Sequence, residues 1–129
     1  MKFAKYSFLA AGLYGVLTVF PLYFMGAKLA ADYPPAINHP EYYYSFIGVT
    51  LVWQILFLFI SRNPLGFHPV MPFCALEKLS IVPTFLILTP DGLFPAVWIP
   101  LLVADLVFGV LFLVSYFKTK DQHPAEASF

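Results

Sequence analysis

The chain has 129 residues, of which 60% are hydrophobic and 11% charged, where a soluble domain has roughly a quarter charged. Small domains bury the smallest share of their own surface, so a mean hydropathy of +0.80 excludes an ordinary soluble enzyme or a disordered tail. Seven basic and seven acidic side chains cancel, leaving no net charge to draw in nucleic acid, and the single cysteine excludes a disulfide framework or a cysteine metal cluster.

A helix that crosses the hydrocarbon needs about 20 mostly apolar residues. Residues 7–27, 42–61, 70–89 and 94–117 meet that demand. They predict an all-α fold, a four-transmembrane-helix antiparallel bundle, with 1–129 as a single integral membrane domain. In the first span, Lys2 and Lys5 precede an apolar run longer than the roughly 7 to 15 residues of a signal-peptide core, so a retained helix is expected. Ser7, Ala11, Tyr14 and Thr18 fall on one stripe, and Ala11 with Gly15 offers the small-residue spacing that lets helices approach closely. Residues 28–41 contain Pro34, Pro35 and Pro40 and read as a stiff, irregular loop.

The second span carries Thr50, Gln54 and Ser61 on one stripe with Tyr43, Ile47 and Phe57. Asn63-Pro64 and Gly66 then mark a turn. The third span is apolar except for Glu77 and Lys78, with Glu77, Ser80 and Thr84 sharing a face. Lys78 has the length to snorkel to the headgroups, which predicts Glu77 inside and Lys78 toward the rim; the alternative is an ion pair between Lys78 and Asp105. Thr89-Pro90-Asp91-Gly92 makes a minimal turn into the fourth span, where Asp105 lies on one face with Gly109 and Phe112. Short connections predict that spans two and three, and three and four, pack as neighbours. Pro21, Pro83 and Pro100 each remove a backbone donor inside a span; membrane helices tolerate proline, which is the favoured reading, and the alternative is kinks that open a cavity in the outer half.

Lys and Arg cluster before span one, between spans two and three, and after span four. By the positive-inside rule this places both termini in the cytoplasm, in a multi-pass protein of a bacterial inner membrane. Val52 with Leu56-Phe57-Leu58 is echoed by Val107 with Leu111-Phe112-Leu113, a pattern that chance explains in Leu- and Phe-rich spans.

At about 1.5 Å per residue, Thr18, Gln54, Thr84 and Asp105 all fall near the bilayer midplane. Most such hydroxyls are interhelical glue worth about 1 kcal/mol each. Intramembrane acids are dearer and functional by default, so Asp105 and Glu77 are the candidate functional groups, with Gln54 as the expected neighbour of Asp105. Three His-Pro pairs, at His39, His68 and His123, read as loop residues beside headgroups. His39 with Glu41 is at most half a metal site, and neither a metal nor a cofactor is expected. Cys74 reads as a small buried hydrophobe.

The stretch EYYYSFIGVTLVWQILFLFISR, followed by FHPVMPFCALEKLS and DLVFGVLFLVSYFK, resembles a group of small four-span bacterial integral membrane proteins, similar in layout to DoxX-like proteins. The resemblance runs over about residues 41–118, rests on Gln54, Arg62, Pro64, Glu77-Lys78 and Asp105, and implies a fold without an activity. A more distant likeness is to the EXPERA family of sterol isomerases and sterol-binding receptors, which also places acids inside a small bundle.

These readings converge on a non-catalytic accessory subunit or a bundle that binds a lipid-like or sterol-like ligand. Asp105, Glu77 and Gln54 would supply its polar contacts, and Tyr14, Trp53 and Trp98 its walls. The alternatives are an EXPERA-like isomerase in which Asp105 and Glu77 exchange protons, and a proton-coupled transporter working as an oligomer. The expected partners are the lipid bilayer, the ligand and other membrane subunits, with no nucleic acid.

Overall fold

A computed structural model describes residues 2–122; His123 and Pro124 lie outside them. Helix α1 (Lys2–Val19) tightens into a 3-10 turn at Phe20–Phe24, where Pro21 removes a helical donor. A short helix α2 (Gly26–Asp32) follows, then α3 (Pro40–Arg62). Beyond a 3-10 turn at His68–Val70 come α4 (Met71–Leu79) and α5 (Ile81–Leu88), and a turn at Ala96–Trp98 leads into α6 (Ile99–Thr119). The described residues contain no strand. Counted with their flanking turns, Lys2–Phe24, Pro40–Arg62, His68–Asp91 and Ala96–Thr119 are long and apolar enough to cross a membrane. The chain thus has the make-up of a small multi-pass integral membrane protein.

Two of the three prolines coincide with a break in the α-helix, the alternative reading. The first span loses its α-helical winding at Pro21. The third breaks at Ser80, one turn before Pro83, beside the Leu79 carbonyl that the proline leaves without a donor. Pro100 differs. It stands in the first turn of α6, where the absent N–H would have had no partner in any case, so it starts the helix and does not bend it. The expected loop at residues 28–41 also differs, because α2 occupies its first part. Ala27, Ala30 and Ala31 favour a helix, and Lys28 pairs with Asp32 across one turn at 2.7 Å.

One of the two expected adjacencies is met, since spans three and four pack together, and the other is not. Helix α1 lies chiefly against α3 and then α6, and α6 lies against α4, while the backbones of α3 and α4 come close at few points. Side-chain size explains this. The buried face of α1 is Ala4, Ser7, Phe8, Ala11, Gly12 and Gly15, small enough to let α3 come close. On the other side, Cys74 and Ala75 of α4 meet α6, and Gly109 of α6 sits under Leu79. Spans two and three are joined in sequence, yet they meet chiefly through side chains such as Gln54, Phe57 and Lys78.

The bundle has two unlike halves. At the end that holds the start of α1 and the end of α6, with the Lys118 ammonium 4.5 Å from the centre of the Phe3 ring, the interior is solid. Phe8 stacks on Phe112 with centroids 4.1 Å apart, and Phe57 meets Phe112 edge-on at 4.9 Å. Phe57 and Phe112 are the matching residues of the internal echo and pack together in the core, sealed by Ile60, Met71 and Cys74. Cys74 is fully buried, as expected. His68 is not a headgroup residue: it is buried, stacked on Tyr116 at 4.4 Å, with Nε2 3.0 Å from the Tyr116 carbonyl. The opposite half is hollow.

Candidate functional site

Polar groups gather where the solid half ends. Helix α4 buries Met71, Cys74, Ala75 and Lys78, the spacing of one helical stripe, and this stripe carries the Lys78 side chain into the bundle. Lys78 is 3% exposed. Its Nζ donates to Gln54 Oε1 at 3.1 Å and lies 3.6 Å from Asp105 Oδ1 and 4.0 Å from Glu77 Oε2. The rings of Phe57 and Phe108 stand 5.2 and 5.8 Å from it, within range of a cation–π attraction. The expected placement of Lys78 at the rim is therefore corrected, and the ion pair with Asp105 is the arrangement adopted. Its position on the Cys74–Ala75 face outweighs its capacity to snorkel.

Gln54 is fully buried and fixed from two sides. Its Nε2 donates to the Thr50 carbonyl at 2.9 Å, so its Oε1 is presented to Lys78. Gly15 of α1 lies flat against the same amide; a Cβ there would overlap the Gln54 side chain. Gln54 and Asp105 meet through Lys78, which stands between them. Glu77 is half-buried, and its Oε2 is buried without a hydrogen bond. One cation between two carboxylates compensates one of them in full, so the cluster holds a spare acidic group.

The cluster forms the inner end of a cavity of about 1050 Å3 that fills the hollow half. All six residues singled out from the sequence as ligand contacts, namely Asp105, Glu77, Gln54, Tyr14, Trp53 and Trp98, line it. Thr50, Ser80 and Thr84, read as interhelical glue, also face it. Lys78 also lines the cavity, and the spacing of Met71, Cys74, Ala75 and Lys78 is the sequence signal that places it there. The cavity lies where the backbones of α3 and α4 come close at few points, and its lining includes residues beside the breaks at Pro21 and Ser80. Its walls include Phe46 and Val49 of α3 and Phe73 and Leu76 of α4, side chains that also face outward. The cavity therefore opens sideways between those helices, toward lipid.

At the far end α2 lies across the cavity, contributing Lys28, Leu29 and Asp32. The hydrogen bond and charge of Asp32 hold the Lys28 proton on above its ordinary range. Nearby, the Tyr43 hydroxyl donates to the Leu22 carbonyl at 2.6 Å and ties α3 to the end of the first span. His39 Nδ1 and Glu41 Oε1 stand 3.0 Å apart on the exposed surface, and among the described residues no group of three metal-ligating side chains forms.

Compared with known proteins, the chain matches no family model, no curated protein and no solved structure.

Proposed function

We propose that this protein binds a hydrophobic, lipid-like ligand in the hollow half of its bundle, in a bacterial inner membrane with both termini in the cytoplasm. The observation that carries the reading is the cavity itself: about 1050 Å3, largely apolar, open toward lipid between α3 and α4, and ending on Lys78, Gln54, Asp105 and Glu77. Apolar walls with a few convergent polar groups are the usual make-up of a small-molecule site. An apolar chain enters from the bilayer without crossing water, and the polar end orients its head. The EXPERA resemblance adds a sterol as one form of the ligand. Lys2, Lys5, Arg62, Lys118 and Lys120 support the orientation, since cytoplasmic ends carry the basic excess.

One observation favours a second reading, an isomerase of the same ligand: Glu77 lines the cavity and its buried Oε2 has no hydrogen-bond donor, which leaves this carboxyl group able to take a proton from a bound molecule.

Native mass spectrometry of the protein from a mild nonionic detergent tests the main reading. One lipid-sized molecule should be retained per chain, and it should be lost in Thr84→Trp, which fills the cavity from an exposed position. Equal retention in the variant, or a ligand-free wild-type protein that fails to take up hexadecanol or a sterol, rejects it.

A further inference from the structure

Lys78 is unlike the other lysines of the chain. Lys2, Lys5, Lys28, Lys118 and Lys120 are exposed, whereas Lys78 is buried at the blind end of an apolar cavity. An ammonium has three donors, and the one acceptor that the described residues place within hydrogen-bond distance of Lys78 is Gln54 Oε1 at 3.1 Å. Asp105 and Glu77, at 3.6 and 4.0 Å, supply charge at longer range. A lysine buried at the end of an apolar pocket, with a carboxylate near enough to take its proton, can act as a nucleophile toward carbonyl compounds, and the carboxylates then serve as counter-charge to the protonated imine. We propose that Lys78 captures a long-chain aldehyde as a reversible imine.

This rests on the ligand-cavity reading and narrows it to a class of ligand. The aldehyde enters between α3 and α4 with its chain along the apolar wall and its carbonyl at the inner end. Glu77 takes one proton from the Lys78 ammonium. The freed lone pair forms the C–N bond to the carbonyl carbon, and the C=O π pair moves to oxygen, which takes the proton back from Glu77. The resulting carbinolamine still carries the ammonium charge. Glu77 relays a second proton from nitrogen to the hydroxyl, and the nitrogen lone pair expels water as the C=N bond closes. Ammonium and aldehyde become protonated imine and water, with no oxidant or reductant. The positive charge stays beside Asp105, so the cation formed is no less compensated than the one consumed. Gln54, fixed through Thr50 and Gly15, keeps the nitrogen in place.

The test uses the full chain in dodecyl maltoside with hexadecanal, sodium cyanoborohydride to trap the imine, and intact-mass and peptide mapping as readout. Hexadecanol binding is measured alongside. One hexadecyl adduct, mapped to Lys78, is expected. It should disappear in Lys78→Arg, which keeps the charge. In Glu77→Gln the adduct should form at least tenfold more slowly at saturating hexadecanal. Adducts spread over the exposed lysines, or none at all in a protein that binds hexadecanol, overturn the imine and leave the cavity reading standing. An equal rate in Glu77→Gln overturns the proton relay. A protein that takes up neither compound overturns the proposal together with the reading beneath it.

Discussion

Gly15→Ala is the smallest change that should dismantle the polar end of the cavity. The added methyl falls on the Gln54 side chain, which is fully buried and held in place by its hydrogen bonds to the Thr50 carbonyl and the Lys78 ammonium. On its own, alanine in a helix is better than glycine by up to about 1 kcal/mol. Against that stands overpacking, about 1–3 kcal/mol, and loss of the Gln54 hydrogen bond to the Lys78 ammonium, about 1.5–3 kcal/mol for a bond to a charged group. The net expectation is a destabilisation of about 2–5 kcal/mol. Unfolding by SDS titration in dodecyl maltoside, followed by circular dichroism, measures it. Gln54→Ala alone loses the hydrogen bond and leaves a small void. The double variant removes the side chain that the new methyl strikes, so its loss should fall well short of the sum of the singles. A Gly15→Ala protein as stable as wild type, or strictly additive losses, would show that α1 does not clamp Gln54 and would refute the reasoning.

Lys78→Met should cost about 3–5 kcal/mol, because Asp105 and Glu77 are left facing one another without a cation; adding Asp105→Asn and Glu77→Gln should recover most of it in the same titration, and a triple variant as weak as the single one contradicts the pairing. Phe112→Ala should cost about 3–5 kcal/mol through the stacked and edge-on contacts with Phe8 and Phe57, whereas Val110→Ala, on the outward face, should change the midpoint little. Cys74 should resist maleimide in the folded protein and react after SDS unfolding, since it is fully buried; fast labelling in mild detergent would contradict the packing of α4 on α6.

The span count and the inward stripes were legible because lipid enforces both: each crossing needs its length, and each polar group needs shelter. The stripe of Ser7, Ala11 and Tyr14 and the set of Ile47, Gln54 and Phe57 point inward as the spacing predicts. Side-chain reach misled the reading at Lys78. A long cation near a span end can go to either side, and only its packing neighbours Cys74 and Ala75 decide which. Helix adjacency was illegible for a related reason. Loop length limits how far two spans can part, but the flatness of a helix face decides which spans meet, and α1 presented a flat face to both α3 and α6. Residues 28–32 are helical where the sequence predicts loop, because the prolines that follow dominate the local pattern.

The spatial order of the spans also bears on how the molecule comes together. Spans one and two form one antiparallel hairpin, spans three and four form another, and the seam between them is chiefly the line along which α1 meets α6. Each pair can assemble as it leaves the insertion machinery, before its counterpart exists. Docking of the two hairpins is then the step that creates the ligand chamber, and a polypeptide severed in the turn at Gly66 would retain everything needed to build it from two pieces.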